Sequence, residues 1–497
     1  MNQVKKLAGQ TMVYGLGSIL PRVLNYLILT FFYTRVLGLN PYGTLSELYA
    51  YIMIALVVIE FGMESGFFRF VRSEGDPDKV FSHTFGFVVM MSLIWLVFIA
   101  LLTHRIATII QYPDHPEYVR WIAWIIALDS VALIPFAKIR QENRARHFAV
   151  LKLLNVAINV IIVFTFLWFM PLVQKNGGNL PAWLYNPETG VGYVFISNLA
   201  TSAIMLLLLL PQLKSLKFSF DARLMRKILA YSAPLVIVGL AGTINDSGDK
   251  ILLKFLYPDK DLALAMVGEY SASYRIAILM TLFTQMFRYA FEPFLFSIAK
   301  DSKADQTYAS VMRYFVISGL IIFLGTTLYI DVIQLLLGQE ARGGLSVVPI
   351  VLLGYLFLGI YYNLSVWYKI KDLTRYAAVI ACTGAAITLI MNILLVPSIG
   401  YMGSAWATFA CYLVMMVVSY FWGKRIYPVP YATGRISLWI GVAVVLYILS
   451  ECIRPDGLII RLLVNTLIFS VFIVIIGFFE KPLVRGILIG IRNRIRK

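Results

Sequence analysis

A succession of apolar stretches, each about twenty residues long, limits this chain more than any other feature. That length is what an α-helix needs to cross the ~30 Å hydrocarbon core of a bilayer at ~1.5 Å per residue. The stretches lie at 11–35, 44–68, 80–102, 119–139, 149–170, 191–211, 229–256, 266–290, 309–330, 345–367, 376–396, 401–422, 434–452 and 459–479. They predict about 14 transmembrane helices. Barrel strands would instead show ~10-residue alternating segments. With 60% of its 497 residues hydrophobic and 14% charged, the chain has more apolar surface than soluble cores could hide. The expected class is an all-α integral membrane protein.

Charge placement tests that division independently. With both termini in the cytoplasm, most of the 43 Lys and Arg residues fall in loops on that side, in every alternate connection. This is the bias that orients membrane helices, and a missed span would break the alternation downstream. The net charge of +17 then reflects loops lying against an anionic leaflet. The basic residues are not gathered on one soluble element, so nucleic acid is not an expected partner. The tail from Arg485 to Lys497 reads as a basic amphipathic membrane anchor. Cys382, Cys411 and Cys452 lie in apolar stretches and make no disulfide framework, and the four histidines form no zinc motif. No metal, cofactor or cleavable signal is expected.

The chain also repeats itself. Asn159, Pro171 and GVGYVFISNLATS from Gly190 are echoed by Asn392, Pro397 and GYMGSAWATFA from Gly400. KKLAGQ at Lys5 is echoed by RKILAYS at Arg226, and YGTLSELYAYI at Tyr42 by VGEYSASYRIA at Val267. The echoes keep one order and define a unit of six spans. Both copies begin with a helix running the same way, which makes them parallel repeats about an axis along the membrane normal. The domains expected are 1–222 (first lobe), 223–428 (second lobe) and 429–497 (two further helices and the basic tail).

SILPRVLNYLILTFFYTRVLGLNPYG (Ser18–Gly43), ELYAYIMIALVVIEFGMESGFFRF (Glu47–Phe70) and NILLVPSIGYMGSAWAT (Asn392–Thr408) carry a resemblance. In their order, on a 14-span plan, they resemble the polysaccharide-exporting branch of the MOP flippase superfamily, which also holds lipid II flippases and MATE exporters. The resemblance implies two six-helix lobes around a central cavity, alternating access, and a bacterial inner-membrane location. It implies as substrate an undecaprenyl-pyrophosphate-linked oligosaccharide carried to the outer leaflet, with polysaccharide polymerase or assembly proteins as further partners. Arg22 matches an arginine of lipid II flippases, but a second arginine of theirs is Ile28 here, which argues against lipid II itself.

Ionisable residues at membrane depth nominate the site, since each costs ~2.5–3.5 kcal/mol on insertion scales and needs a partner or a wet cavity. Arg22 is ~16 Å into the first span and Arg275 ~14 Å into the eighth. A guanidinium stays charged and can grip phosphate oxygens bidentately, so these two lead the substrate-binding candidates, followed by Lys250 and Arg288. In the seventh span Asp246, Lys250 and Lys254 recur at i, i+4, i+8 and predict one polar stripe, with Asp246–Lys250 an internal ion pair and Lys254 near the outer interface. Glu60 and Glu64 share a predicted face at i, i+4 of the second span, where neighbouring carboxylates would suit proton or sodium coupling; one meeting an arginine is the structural alternative. Asp246 and Asp249 are the other coupling candidates.

The expected function is a lipid-linked oligosaccharide flippase. A MATE-like cation-coupled antiporter is the alternative on the same fold, and its cavity should be acidic. The loop at 171–190 holds no triad or paired carboxylates for a membrane polymerase or ligase, so the chain is not expected to be an enzyme.

Overall fold

The computed structural model describes residues 28, 31–217, 221–298, 301–371 and 373–480. Most of the first predicted span, Arg22 within it, and the basic tail lie outside the described residues. The helices of twelve residues or more are α1 (Leu39–Glu60), α2 (Met63–Glu74), α3 (Pro77–Ile109), α4 (Pro116–Gln141), α5 (Ala145–Phe164), α6 (Gly192–Leu209), α7 (Ala222–Leu256) and α8 (Lys260–Ile276). They continue as α9 (Ile278–Ile298), α10 (Ala304–Thr327), α11 (Val348–Leu364), α12 (Thr374–Ile399), α13 (Tyr401–Ile426), α14 (Thr433–Ile453) and α15 (Leu458–Phe479). Among the described residues, 12 helices are long and apolar enough to cross a membrane. Their outer surfaces suit lipid: Leu101 on α3 is 78% exposed, and Leu463, Leu467 and Val474 crowd one open face of α15. This is a multi-pass, all-helical membrane protein.

Two predicted spans are interrupted. The second spans α1 and α2, which part at Phe61 and Gly62, both in the left-handed region at φ 47° and 66°. Glycine takes that region without a Cβ clash, and the turn redirects the chain by more than an i, i+4 repeat allows for. Glu60 therefore ends one helix while Glu64 opens the next, and the common face expected for them does not form. The eighth span is divided at Ala277 into α8 and α9, each too short or too polar to count by length and hydropathy.

Helix starts follow local chemistry. Asp76 caps α3 by accepting from the Lys79 amide at 3.1 Å, with Pro77 following it, and Asp221 caps α7 by accepting from the Arg223 and Leu224 amides. The Asp221 carboxylate also receives the Lys79 ammonium at 2.8 Å, and these bonds hold its pKa down to about 2. A depressed carboxylate stabilises the fold above its unfolded pKa near ~3.9 and loses that contribution as pH falls through the folded value. The thermal stability difference between wild type and Asp221→Asn should therefore be constant from pH 5 to 8 and shrink only towards pH 2. A difference that vanished near pH 6 would refute the cap as its source.

The helices pack as two compact units. The first extends to Ser271 and takes in Ala385–Ser404; the second holds Ala272–Gly384 and everything from Ala405 onward. In the first, α4 is the central helix, with 72% of its most apolar window buried against 22% for α3. Met63, Phe67, Val80, Phe81, Ile134, Leu224 and Ile228 join α2, α3, α4 and α7 in one core. In the second unit Phe291, Leu295, Tyr308 and Val366 pack together, and Phe283 stacks on Phe315 at 4.9 Å.

The repeat has physical counterparts. Buried Asn159 donates to Asn198 on the following long helix at 2.9 Å, and buried Asn392 accepts from Ser404 on its following helix at 2.7 Å. Each asparagine thus ties its helix to the next at the matching place in its copy. The second pair is closer still. Repeat-equivalent Gly43 on α1 and Gly268 on α8 meet at a helix crossing inside the first unit. A Cβ on Gly43 would overlap the Leu264 carbonyl oxygen and come within 3.1 Å of the Gly268 nitrogen. A Cβ on Gly268 would overlap the Leu39 carbonyl oxygen and come within 3.4 Å of the Gly43 nitrogen. Each glycine faces the carbonyl four residues before the other, so the crossing is itself two-fold in character.

Candidate functional site

Next to that crossing, α1 and α7 are joined by buried charge. Lys254 Nζ lies 2.9 Å from Glu47 Oε2, donates to the Ile110 carbonyl at 2.7 Å, and sits 3.7 Å from the centre of the Tyr112 ring. The Tyr112 hydroxyl donates to the same Glu47 oxygen at 2.5 Å. Both charged side chains are enclosed, Glu47 completely. Lys254 does not end at the membrane interface as its position in the sequence suggested; it is folded inward because Glu47 and the Ile110 carbonyl satisfy its protons.

The rest of the predicted α7 stripe is present with different partners. Lys250 Nζ pairs with Asp249 at 3.2 Å and reaches the backbone carbonyl of Asp246 at 3.3 Å. Asp249, fully buried, also accepts from the Tyr270 hydroxyl. Lys250 thus has a carboxylate partner in its sequence neighbour Asp249, which turns inward towards α8 while Asp246 is exposed. Asn245, beside them, accepts from Thr388 of α12 at 3.3 Å. Lys250 is paired with a buried carboxylate of its own helix.

A second polar group lies at the far end of α1. The charged groups acting on Glu60 are Asp129 of α4 and Lys152 of α5. Asp129 accepts from Ser202 of α6 at 2.6 Å, and Lys152 rests 4.0 Å over the Phe136 ring. Asp129 has an exposed side chain although it belongs to the most enclosed helix of the unit. Glu64, by contrast, is in an ion pair with Arg140 of α4, whose guanidinium also lies 5.0 Å over the Phe68 ring. An arginine does meet one of the two glutamates, and it comes from α4.

Arg275 and Arg288 belong to the second unit. Arg275 is half-buried in the last turn of α8, one helix end from the break at Ala277. Arg288, on α9, places its guanidinium 5.1 Å over the Tyr362 ring. Glu47, Asp129, Arg140 and Lys152 were not singled out in the sequence. Glu47, Asp129 and Lys152 fall within predicted spans, so a scan of each span for every ionisable residue would have found them. Among the described residues no group of three or more His, Cys, Asp or Glu is placed to hold a metal ion.

At the ends of α2 and α7 a cavity of about 1050 Å³ is lined by Arg69, Arg72, Ser73, Glu74, Lys227 and Tyr231, with Ser65, Phe68 and Phe70 completing its wall. Arg69 lies 4.9 Å over the Tyr231 ring, and Lys227 pairs with Glu74 at 3.1 Å.

Residues 7–299, more than half of the chain, match the family described as polysaccharide biosynthesis protein. The chain belongs to that polysaccharide biosynthesis family. A comparison with curated proteins finds no significant match. Among solved structures, this family member is similar to a lipid II flippase, MurJ, in an inward closed conformation: TM-score 0.73, 16% identity, covering 95% of this chain and 100% of that one. It is also similar to a multidrug resistance MATE family transporter in an inward-facing conformation, with TM-score 0.63, 12% identity and coverage of 86% and 95%. A MATE multidrug transporter, DinF-BH, gives TM-score 0.60 and 16% identity over 86% of this chain and 96% of that one. These likenesses show that the polysaccharide biosynthesis protein has the fold shared by the MurJ and MATE structures.

Proposed function

We propose that this protein is a flippase that carries a lipid-linked oligosaccharide across the bacterial cytoplasmic membrane by alternating access. The observation that carries the reading is the crossing of Gly43 and Gly268. Two repeat-equivalent helices meet backbone to backbone at one end, with the Glu47–Lys254 pair sealed beside them. A contact made of two glycines leaves no side chains to disentangle, so it can part and re-form at small cost. It suits a gate that opens and closes during transport. Family membership favours a polysaccharide precursor as cargo, and the likeness to a lipid II flippase favours a headgroup whose lipid tail stays in the bilayer. Both termini then face the cytoplasm, and the lobes at 1–222 and 223–428 are the rocking bodies.

Reconstitution in vesicles with a fluorescent undecaprenyl-diphosphate-linked glycan tests this. Translocation above that of protein-free vesicles is expected; its absence with a range of glycans, alongside gradient-driven efflux of a cationic dye, would sink the reading.

The exposed Asp129, with Glu60 and Lys152 beside it, favours a coupling role for this acidic group. Such a role would serve a MATE-like antiporter as well as a flippase driven by a proton or sodium gradient. Asp129→Asn should leave the protein folded and make translocation insensitive to an imposed gradient. Unchanged gradient dependence would remove the group from coupling.

A further inference from the structure

We propose that the cavity between the ends of α2 and α7 is a loading site for the diphosphate headgroup of a membrane-borne lipid. The proposal rests on the flippase reading, which it extends by a place where cargo is held before it reaches the membrane interior.

Four charged groups line the cavity. Lys227 is matched by Glu74 at 3.1 Å, whereas among the described residues neither Arg69 nor Arg72 has a carboxylate partner. The wall therefore has two uncompensated guanidinium charges. A diester of diphosphoric acid carries one charge on each phosphorus, so the headgroup and the wall cancel. A phosphatidylglycerol headgroup, with a single charge, would leave one guanidinium unmatched.

Shape agrees with charge. The ring of Tyr231 lies 4.9 Å from the Arg69 guanidinium, and Phe70 meets the same ring edge-on at 6.1 Å. Stacking holds the planar fork in one orientation, which is what bidentate recognition of phosphate oxygens requires. Ser73 adds a hydroxyl to the same wall. The volume of about 1050 Å³ exceeds what one phosphate fills and leaves room for the first sugars.

The location is informative as well. α2 comes from the first repeat and α7 opens the second, yet both belong to one packing unit, so the cavity is complete without the other unit. It opens at the face that the Lys and Arg distribution assigns to the cytoplasm, where such glycolipids are assembled. General attraction of anionic lipid to basic loops would need no concave wall and no stacked arginine, and Lys214 and Lys424 on the same face serve as comparison for it.

The test measures binding to the full chain in nanodiscs by native mass spectrometry. The lipids are an undecaprenyl diphosphate-linked monosaccharide (two charges), an undecaprenyl monophosphate-linked monosaccharide (one charge) and phosphatidylglycerol. Wild type, Arg69→Gln/Arg72→Gln, Arg69→Lys, Tyr231→Leu and Lys214→Gln/Lys424→Gln are compared, with thermal unfolding as the check on folding. The arginine double variant should bind the diphosphate at least about tenfold more weakly, while the lysine double variant should match wild type. Arg69→Lys keeps the charge but loses the fork, and Tyr231→Leu loses the stack, so both should weaken diphosphate binding more than monophosphate binding. Undiminished diphosphate binding in the folded arginine double variant would overturn the proposal. An equal loss for all three lipids would do so too, and would reduce the cavity to a generic anchor. Translocation is scored separately. Diphosphate binding that depends on the two arginines, in a wild type that moves no glycolipid, would defeat the flippase reading and leave the binding site standing.

Discussion

Gly43→Val should abolish transport, and Gly268→Val should do the same. At each position a new Cβ would run into backbone rather than into a side chain that can swing away. The Leu264 carbonyl blocks the first and the Leu39 carbonyl the second. Overpacking of this kind costs ~1–3 kcal/mol in a packed interior, and here the strain falls wholly on the state in which α1 and α8 are crossed. The carrier would be pushed out of that state and held in the other. Cysteines placed at Leu39 and Leu264, in a background lacking Cys382, Cys411 and Cys452, should cross-link readily in the native chain and poorly once Gly43 is valine. Because both glycines serve one crossing, the double substitution should cost less than the two single effects combined. Normal transport and unaltered cross-linking in Gly43→Val would show that the crossing does not move during the cycle.

The second large effect belongs to the buried pair beside it. Lys254→Met leaves the Glu47 carboxylate enclosed with neutral tyrosine hydroxyls, Tyr112 and Tyr51, but no cation to serve it, and Glu47→Leu leaves an ammonium against Ile110 and an aromatic ring. Removing one partner of a buried ion pair costs ~3–5 kcal/mol, because the remaining charge is uncompensated. Replacing both by apolar residues of similar volume is often close to neutral. The expected thermal unfolding series is therefore two strongly destabilised single variants and a Glu47→Leu/Lys254→Met double variant near wild type in stability. If the pair is also part of the gate, the stable double variant should still transport poorly, since the closed end would no longer need to be broken against charge. Two harmless single substitutions would mean that water already reaches the pair.

Much of this architecture was readable before any coordinates. Helix lengths come from bilayer thickness, and the alternation of Lys and Arg between loops follows from electrostatics at one leaflet; both are local rules that a sequence must obey wherever the chain folds. The likeness of YGTLSELYAYI to VGEYSASYRIA was visible too, as were Asn159 and Asn392. The site was less legible. The i, i+4 argument for Glu60 and Glu64 assumed a continuous helix, and the left-handed turn at Phe61–Gly62 removed that premise. Spacing along α7 does not say which neighbour approaches each of its charged residues. Asp249 met Tyr270, and Glu64 met Arg140, because other helices decided which way those side chains could turn.

What the sequence by itself determined, then, is the class of solvent, the run of helices and the duplicated plan. The resemblance to polysaccharide exporters could be seen in the motifs and agrees with the family that the chain belongs to. Only the tertiary structure decided that Glu47 and Lys254, 207 residues apart, are one buried pair, and that two echoing glycines touch. The physical reason is range. Hydropathy and charge bias act residue by residue against a uniform membrane, so they can be read from a string. A buried carboxylate, a backbone crossing or an arginine over a ring depends on what another segment brings within 3–5 Å, and that information exists only once the chain has packed.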